Sequence, residues 1–216
     1  MPFKGLAAPK RRLAPLLSLA ERRGLAQAML SDVLAALGRA EGYDRVFVIS
    51  RDPAALELAL QLGANAMPES GRPGYRSAAE QAAETARAAG ASGLLVLPAD
   101  LPLVSSTDLE YLLLESARAS VALAPSRHGD GTNALLARPP GVLPYLYGPG
   151  SFRAHLRAAE RRRLRTAVVE LPNLGLDVDQ PSDLLRLLER EAGPRQTATC
   201  RYVAEIALAE RLSAAR

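Results

Sequence analysis

Three aspartates are the residues of this sequence best suited to metal-assisted chemistry. Asp100 closely follows the apolar run LLVL at residues 94–97, which is typical of a strand buried on both faces. In open α/β sheets, ligands bind at the edge formed by the carboxyl ends of such strands. Asp177 and Asp179 lie on either side of Val178, so in an extended segment both carboxylates point the same way while Val178 turns into the core.

These carboxylates together would supply hard oxygen ligands for a cation. Asp177 and Asp179 repel each other unless a cation lies between them, and with Asp100 they form a set that suits Mg²⁺ carrying bound phosphates. Structural alternatives remain open from the residues alone. In one, Asp100 only caps a turn; in another, Asp179 helps to start a helix at Pro181 and Asp177 is solvated.

A second group consists of cations near the start of the chain. Of the 27 basic residues only Lys4 and Lys10 are lysines, and both lie in one short segment together with Arg12. A loop after the first strand of a doubly wound fold faces the nucleotide crevice, where several cations neutralise a triphosphate. No GxxxxGK[ST] motif occurs, so this segment is not a P-loop. Chance clustering of two lysines is the alternative.

A third group surrounds the predicted start of a helix at Ser151. Gly148 and Gly150 let the backbone approach a ligand, and the helix start offers free N–H groups to a phosphate. Ser151 is expected to cap this helix, which is the commoner role of such a serine. Thr132 follows a glycine-rich turn at residues 129–131 and adds a hydroxyl donor.

Other polar residues carry weaker signals. His128 and His155 lack metal-ligand spacing, so ordinary surface or turn roles are expected for them. The arginine-rich run at residues 161–165 is interpreted as a solvated helix end and not as a nucleic-acid surface, because no aromatic residues interleave it. The single cysteine, Cys200, excludes an internal disulfide.

Alternating strands and helices must position these groups. Helices are predicted to begin at Ser18, Asp52 and Ser105, each of which has N-cap chemistry. Because strands and helices alternate, we expect an α/β fold with a mostly parallel, doubly wound sheet. Strands are predicted at residues 45–50, 64–67, 94–97, 120–125, 132–138 and 166–171.

The length of 216 residues suits one domain with a small addition. We expect the domain at residues 1–192 and a helical appendage at 193–216, separated by the break at Gly193-Pro194, with a last helix over residues 202–214. That helix packs either on its own domain or on a second subunit of a homodimer. No run of membrane-spanning length and no signal-peptide pattern is evident, so a cytoplasmic protein without membrane or nucleic-acid partners is expected.

The motifs in this order resemble the guanylyltransferases that make the precursor of the deazaflavin coenzyme F420. That family uses phosphoenolpyruvate or 2-phospho-L-lactate as acceptor. The matching segments span residues 2–188 and are PFKGLAAPKRRLAPLLS (2–18), LPADLPL (97–103), RHGDGTNALL (127–136), YGPGSFRAHL (147–156) and LDVDQPSDL (176–184).

The resemblance implies a nucleotide-diphospho-sugar transferase (GT-A-like) fold and transfer of GMP from GTP to the phosphate of a small acid, with release of diphosphate. It also implies roles for nine residues at matching positions. The expected Mg²⁺ ligands are Asp100, Asp177 and Asp179; the acceptor-binding residues are Thr132, Gly148 and Ser151; and the residues facing the GTP phosphates are Lys4, Lys10 and Arg12.

Two departures from the family pattern stand out. Met1 directly precedes Pro2, where relatives have an apolar strand, and Tyr75-Arg76 replaces the usual Leu-Asn after the middle loop. By analogy with bacterial members, phosphoenolpyruvate is the expected acceptor, with 2-phospho-L-lactate as the alternative. Two further hypotheses are a related nucleotidyltransferase acting on a sugar phosphate or molybdopterin, and a catalytically silent nucleotide-binding protein.

Overall fold

The computed structural model describes residues 1–190 and 197–214 of the chain. The predicted break at Gly193-Pro194 and the domain boundary at residue 193 lie outside the described residues. Strands and helices alternate as predicted. The strands are β1 Phe47–Ser50, β2 Asn65–Pro68, β3 Leu94–Val96, β4 Val121–Pro125, β5 Thr132–Ala137 and β6 Thr166–Val168.

The helices lie between and after these strands. A 3₁₀ turn at Arg11–Leu13 precedes the first of them. They are α1 Leu19–Arg39, α2 Pro53–Gln61, α3 Tyr75–Ala88, α4 Ser106–Glu115, α5 Ser151–Arg161, α6 Pro172–Gly175, α7 Pro181–Arg190, α8 Ala198–Glu205 and α9 Leu208–Ala214. No helix in the described part of the chain is both long and apolar enough to cross a membrane.

The strands form two hydrogen-bonded sheets. β1 and β2 pair in parallel, while β3, β5, β4 and β6 follow one another in a second sheet. In that sheet β5 runs antiparallel to both neighbours, and β4 and β6 are parallel. The mostly parallel α/β arrangement is therefore confirmed; in the described part of the chain, β5 runs opposite to its two neighbours, and β1 and β2 form a separate sheet.

The chain start lies along the free edge of β1. Pro2 forms a single parallel bridge with Ile49, supported by hydrogen bonds from Phe3 N to Ile49 O (2.8 Å) and from Ile49 N to Met1 O (2.9 Å). A cavity of about 640 Å³ lies between this edge and β3, with Met1 and Leu94 in its lining. Residues 1–4 therefore contribute one bridge to this edge and do not form a strand of their own.

Local capping chemistry sets the starts of three helices, as predicted. Ser18 Oγ accepts from Glu21 N at 3.3 Å and Glu21 Oε2 accepts from Ser18 N at 2.8 Å, which completes a capping box. Ser105 forms the same box with Asp108 before α4. Asp52 caps α2, which has proline at its first position.

The end of the described chain differs from the prediction. A single helix over residues 202–214 was expected, whereas α8 and α9 are separate because Ala207 adopts a left-handed backbone with φ 50°. Asp32 of α1 holds the start of α8: its carboxylate accepts hydrogen bonds from Ala198 N (2.6 Å) and Thr199 N (2.9 Å). Tyr202 Oη donates to Glu21 O at 3.0 Å.

Two glycines of α1 should respond in opposite ways to alanine. A Cβ at Gly24 would lie 2.3 Å from Tyr202 Oη and 2.4 Å from its Cζ, so Gly24→Ala must displace the ring that joins α8 to α1. We expect a loss of about 2 kcal/mol in unfolding free energy. At Gly38 no atom lies within 4 Å of the position a Cβ would take, so Gly38→Ala should gain about 0.5–1 kcal/mol from helix propensity. Urea denaturation midpoints measure both; equal effects of one sign would contradict this packing.

Candidate active site

Lys10 lies at the centre of a charged cluster formed by distant parts of the chain. Its Nζ donates to Asp100 Oδ2 at 2.6 Å and to Asp179 Oδ1 at 2.9 Å. Lys10 has a left-handed backbone (φ 50°) and precedes the 3₁₀ turn at Arg11–Leu13, where fully buried Leu13 fixes the loop in the core. One ammonium thus joins two of the three aspartates singled out by sequence.

The segment carrying Asp177 and Asp179 is held against the end of β3. Val178 N donates to Asp100 O at 3.1 Å, and the Val178 side chain is completely buried, as the alternation predicted. Asp183 Oδ2 accepts from Asp179 N (3.0 Å) and Gln180 N (2.8 Å) at the start of α7. The alternative in which Asp179 starts this helix is therefore wrong, because Asp183 performs that role.

The alternative role of Asp100 is also inconsistent with its contacts. A turn cap would accept from nearby backbone N–H groups, but Asp100 Oδ2 meets the Lys10 ammonium. Its other oxygen, Oδ1, is buried and has no hydrogen-bond partner within the described residues. A buried carboxylate oxygen without a partner is costly, so it marks a position where a further cation or donor fits.

The pKa shifts follow from this crowding. Burial lowers the pKa of Lys10, but the charges of Asp100 and Asp179 outweigh it and the net pKa is raised. Burial raises the pKa of Asp179, and the charges of Lys10, Arg12 and Lys4 reverse this to a net lowering. The exposed cations Lys4 and Arg12 thus act on the same carboxylate as Lys10.

The pKa of Asp177 is raised, whereas that of Asp179 is lowered. Burial raises the pKa of Asp177 first, and the negative charges of Asp100 and Asp179 raise it further, against the lowering effect of the Asn133 hydrogen bond. All three predicted aspartates therefore interact electrostatically. Added positive charge at this place would favour the charged form of Asp177, because burial and two neighbouring carboxylates raise its pKa.

The residues present fit a divalent cation. Asp100, Asp177 and Asp179 would hold it, and it would neutralise phosphate charge and polarise a phosphoryl oxygen. Among residues 1–190 and 197–214, no group of three or more His, Cys, Asp or Glu side chains is placed to hold a metal ion without rearrangement. Lys10 occupies the place between Asp100 and Asp179, so binding of the cation requires a shift of its ammonium.

A second cluster unites two of the residues predicted to bind the acceptor. Thr132 Oγ1 lies 3.2 Å from Ser151 Oγ and 2.9 Å from His155 Nδ1, and all three side chains are buried. Ser151 is the first residue of α5, and Gly150 is the N-cap, without a side-chain cap bond. The expectation that Ser151 caps this helix is therefore wrong: its hydroxyl turns inward to Thr132.

The glycines before α5 shape an open approach to this cluster. Gly148 has φ 140° and Gly150 has φ 69°, conformations that side chains rarely adopt, and no atom lies within 4 Å of a Cβ built at either position. Gly148 O accepts from Ser151 N at 3.1 Å, which brings the third predicted residue into the group.

The two clusters are joined by the start of β5. Asn133, next to Thr132, donates to Leu174 O (2.8 Å) and Asp177 Oδ1 (3.1 Å). Because β5 is antiparallel to β3 with Val96 opposite Leu135, its first residues lie level with the residues that follow β3. Thr132 and Asn133 contact one cluster each, at a point where the pairing of β5 with β4 shifts register between Ala134 and Thr132.

Sequence reasoning missed several residues that build these clusters. Asn133 and Asp183 lie close in sequence to residues predicted to bind ligands, but neither belongs to a spacing pattern that indicates a role. His155 was assigned an ordinary role, although it is completely buried. Tyr75 was named only as a departure from the family pattern; its ring packs edge-on against that of Tyr147 with centroids 4.5 Å apart.

Comparison with known proteins shows the family to which the chain belongs. A family model described as "Guanylyl transferase CofC like" matches residues 1–212. The chain belongs to this guanylyltransferase family. A phosphoenolpyruvate guanylyltransferase of Rubrobacter xylanophilus is 46% identical over 188 residues, which cover 87% of this chain and 91% of that protein. A 2-phospho-L-lactate guanylyltransferase of Methanothermobacter thermautotrophicus is 39% identical, covering 85% and 80% respectively.

Solved structures confirm the fold expected of a CofC-like guanylyltransferase. A putative nucleotide-diphospho-sugar transferase from Desulfovibrio desulfuricans superposes with a TM-score of 0.80, covering 98% of this chain and 95% of that one at 16% identity. The prediction of a nucleotide-diphospho-sugar transferase fold is thus confirmed. Membership of the guanylyltransferase family makes this chain a nucleotidyltransferase.

Proposed function

We propose that this protein transfers GMP from GTP to the phosphate of phosphoenolpyruvate, releasing diphosphate and forming enolpyruvoyl-2-diphospho-5'-guanosine. The observation that carries the proposal is the pairing of two sites across one strand start. Asp100, Asp179 and Lys10 form a charged site on one side, and Thr132 and Ser151 offer hydroxyls on the other. Such a pair can place a nucleotide triphosphate beside a small phosphorylated acid.

The reaction needs charge neutralisation more than a protein nucleophile. A phosphate oxygen of the acceptor attacks the α-phosphorus of GTP, and the bond from that phosphorus to the β-phosphate oxygen breaks as diphosphate leaves. Both reactants are anionic, so positioning and positive charge supply most of the catalysis. In this proposal Lys4, Lys10 and Arg12 face the GTP phosphates, and Mg²⁺ is held by Asp100, Asp177 and Asp179.

The acceptor's phosphate and carboxylate are assigned to the cluster at the start of α5. The backbone N–H groups of the helix start favour anions, and Gly148 leaves space for a close approach. The Thr132 and Ser151 hydroxyls lie at the same place. The relative of 46% identity is named for phosphoenolpyruvate, which supports this acceptor over 2-phospho-L-lactate.

Diphosphate release tests the proposal directly. Purified protein is incubated with GTP and Mg²⁺ and with phosphoenolpyruvate, 2-phospho-L-lactate or neither, and the nucleotide product is identified by its mass. We expect acceptor-dependent diphosphate release with phosphoenolpyruvate, and preferential use of it when both acceptors compete at equal concentration. CTP in place of GTP should give little product.

Three results would count against the proposal. Preferential use of 2-phospho-L-lactate would replace the acceptor but keep the reaction. Better turnover with CTP would indicate a different nucleotidyltransferase of this fold. GTP binding without turnover of either acid would favour the catalytically silent nucleotide-binding protein.

A further inference from the structure

A buried histidine continues the hydrogen-bond chain behind the proposed acceptor site. His155 lies on α5, one turn after Ser151, and is completely buried. Its Nδ1 faces Thr132 Oγ1 at 2.9 Å, and its Nε2 receives the backbone N–H of Leu146 at 2.8 Å. The Tyr147 ring packs edge-on against the imidazole at a centroid distance of 5.2 Å.

These contacts decide which ring nitrogen carries the proton. A backbone N–H can only donate, so Nε2 must be the unprotonated acceptor for Leu146. The proton of the neutral ring is therefore on Nδ1, and it is donated to Thr132 Oγ1. Burial supports the neutral ring, since it lowers the pKa of His155 to about 4.

The tautomer has a consequence for the hydroxyls. Thr132 Oγ1 already accepts from His155, so its own hydrogen is free to be donated to Ser151 Oγ, 3.2 Å away. Ser151 then has its hydroxyl hydrogen left over for a ligand. With the opposite tautomer, Thr132 would donate to His155 and accept from Ser151. Ser151 Oγ would then present a lone pair, instead of a hydrogen, where an anion must bind.

We propose that His155 is a positioning residue that fixes the direction of the Thr132–Ser151 hydrogen bond, so that the Ser151 hydroxyl remains an O–H donor for the anionic acceptor. The inference rests on the proposed function in one respect, the binding of the acceptor at these hydroxyls. His155 itself touches no reacting atom; it acts through Thr132.

Two amide substitutions separate this role from simple packing. In His155→Asn the side-chain amide replaces Nδ1 and still donates to Thr132, but the acceptor for Leu146 is lost. In His155→Gln the amide reaches the Nε2 position and keeps the Leu146 bond, but the donor to Thr132 is lost. Both are smaller than or similar in reach to histidine, and thermal unfolding checks that each one folds.

The acceptor KM should split the two variants. We expect His155→Asn to keep the KM for phosphoenolpyruvate within about threefold of the parent, and His155→Gln to raise it about 10- to 100-fold. The KM for GTP should not change in either. In a Thr132→Val background, His155→Asn and His155→Gln should have the same acceptor KM, because the hydroxyl through which His155 acts is already absent. Equal effects in the parent background, or a persistent difference in the Thr132→Val background, would overturn the proposal.

Nitrogen-15 NMR of the ligand-free protein tests the tautomer without any turnover. The chain has only two histidines, so His128→Asn leaves the His155 ring signals alone for assignment. We expect a protonated Nδ1 and a bare Nε2 at neutral pH; a protonated Nε2 would overturn the inference. Absence of turnover together with the expected tautomer would instead count against the proposed function.

Discussion

Asp100→Asn is expected to lower the rate of diphosphate release about a thousandfold while leaving the fold intact. The carboxylate supplies one of the proposed metal ligands, and its Oδ1 is buried without a hydrogen-bond partner in the described structure. Asparagine keeps the shape but replaces a charged oxygen ligand by an amide. The measurement is steady-state turnover with GTP and phosphoenolpyruvate across a range of Mg²⁺ concentrations.

Asp44→Asn is the matched control for this change. Asp44 is exposed and lies before β1, at the opposite end of the strands from Asp100, so the same substitution there should leave turnover within about twofold of the parent. A thermal unfolding curve accompanies both variants. If Asp100→Asn unfolds the protein but retains specific activity in the folded fraction, the carboxylate is a turn residue and the metal assignment fails.

Lys10→Met should change stability, metal response and turnover together. Without the ammonium, Asp100 and Asp179 face each other with no cation between them, which should cost about 1–3 kcal/mol of unfolding free energy. The cost is below that of a fully buried unpaired charge because the Asp179 side chain is 45% exposed. Turnover should fall about a hundredfold or more, because the contact proposed between Lys10 and the GTP phosphates is lost.

Mg²⁺ should stabilise Lys10→Met more than it stabilises the parent. In the parent the cation must displace the Lys10 ammonium from two carboxylates, whereas in the variant it enters a site already rich in negative charge. The melting temperature with and without Mg²⁺ measures this difference, and Lys10→Arg, which keeps the charge, serves as control. A smaller Mg²⁺ shift in Lys10→Met than in the parent would show that the cation binds elsewhere.

Features that depend on neighbouring residues could be predicted from the sequence. The helix starts at Ser18, Asp52 and Ser105 follow from side chains that bond N–H groups two or three residues away. The burial of Val178 follows from simple alternation along an extended segment. The fold class needed only the order of strands and helices, because right-handed crossovers leave few arrangements.

Features that depend on contacts between distant parts of the chain could not be predicted from the sequence. Lys10 meets Asp100 and Asp179 across 90 and 169 residues of sequence, and no local pattern places an ammonium between two chosen carboxylates. His155 is a lone histidine in a helical pattern, so nothing in its spacing distinguishes a buried relay from a surface residue. The inward turn of Ser151 depends on Thr132, which a different strand supplies.

The reversed direction of β5 has a consequence for how acceptor preference can be altered. Thr132 and Asn133 are consecutive residues of β5 that contact different clusters, with Thr132 bonded to His155 on α5 and Asn133 bonded to Asp177. Substitutions among the residues that pack around Thr132 therefore leave the aspartates where they are. We expect directed evolution of new acceptors to succeed among the residues around Thr132, whereas a one-residue slip of β5 against β3 and β4 would turn Thr132 and Asn133 away from both clusters together.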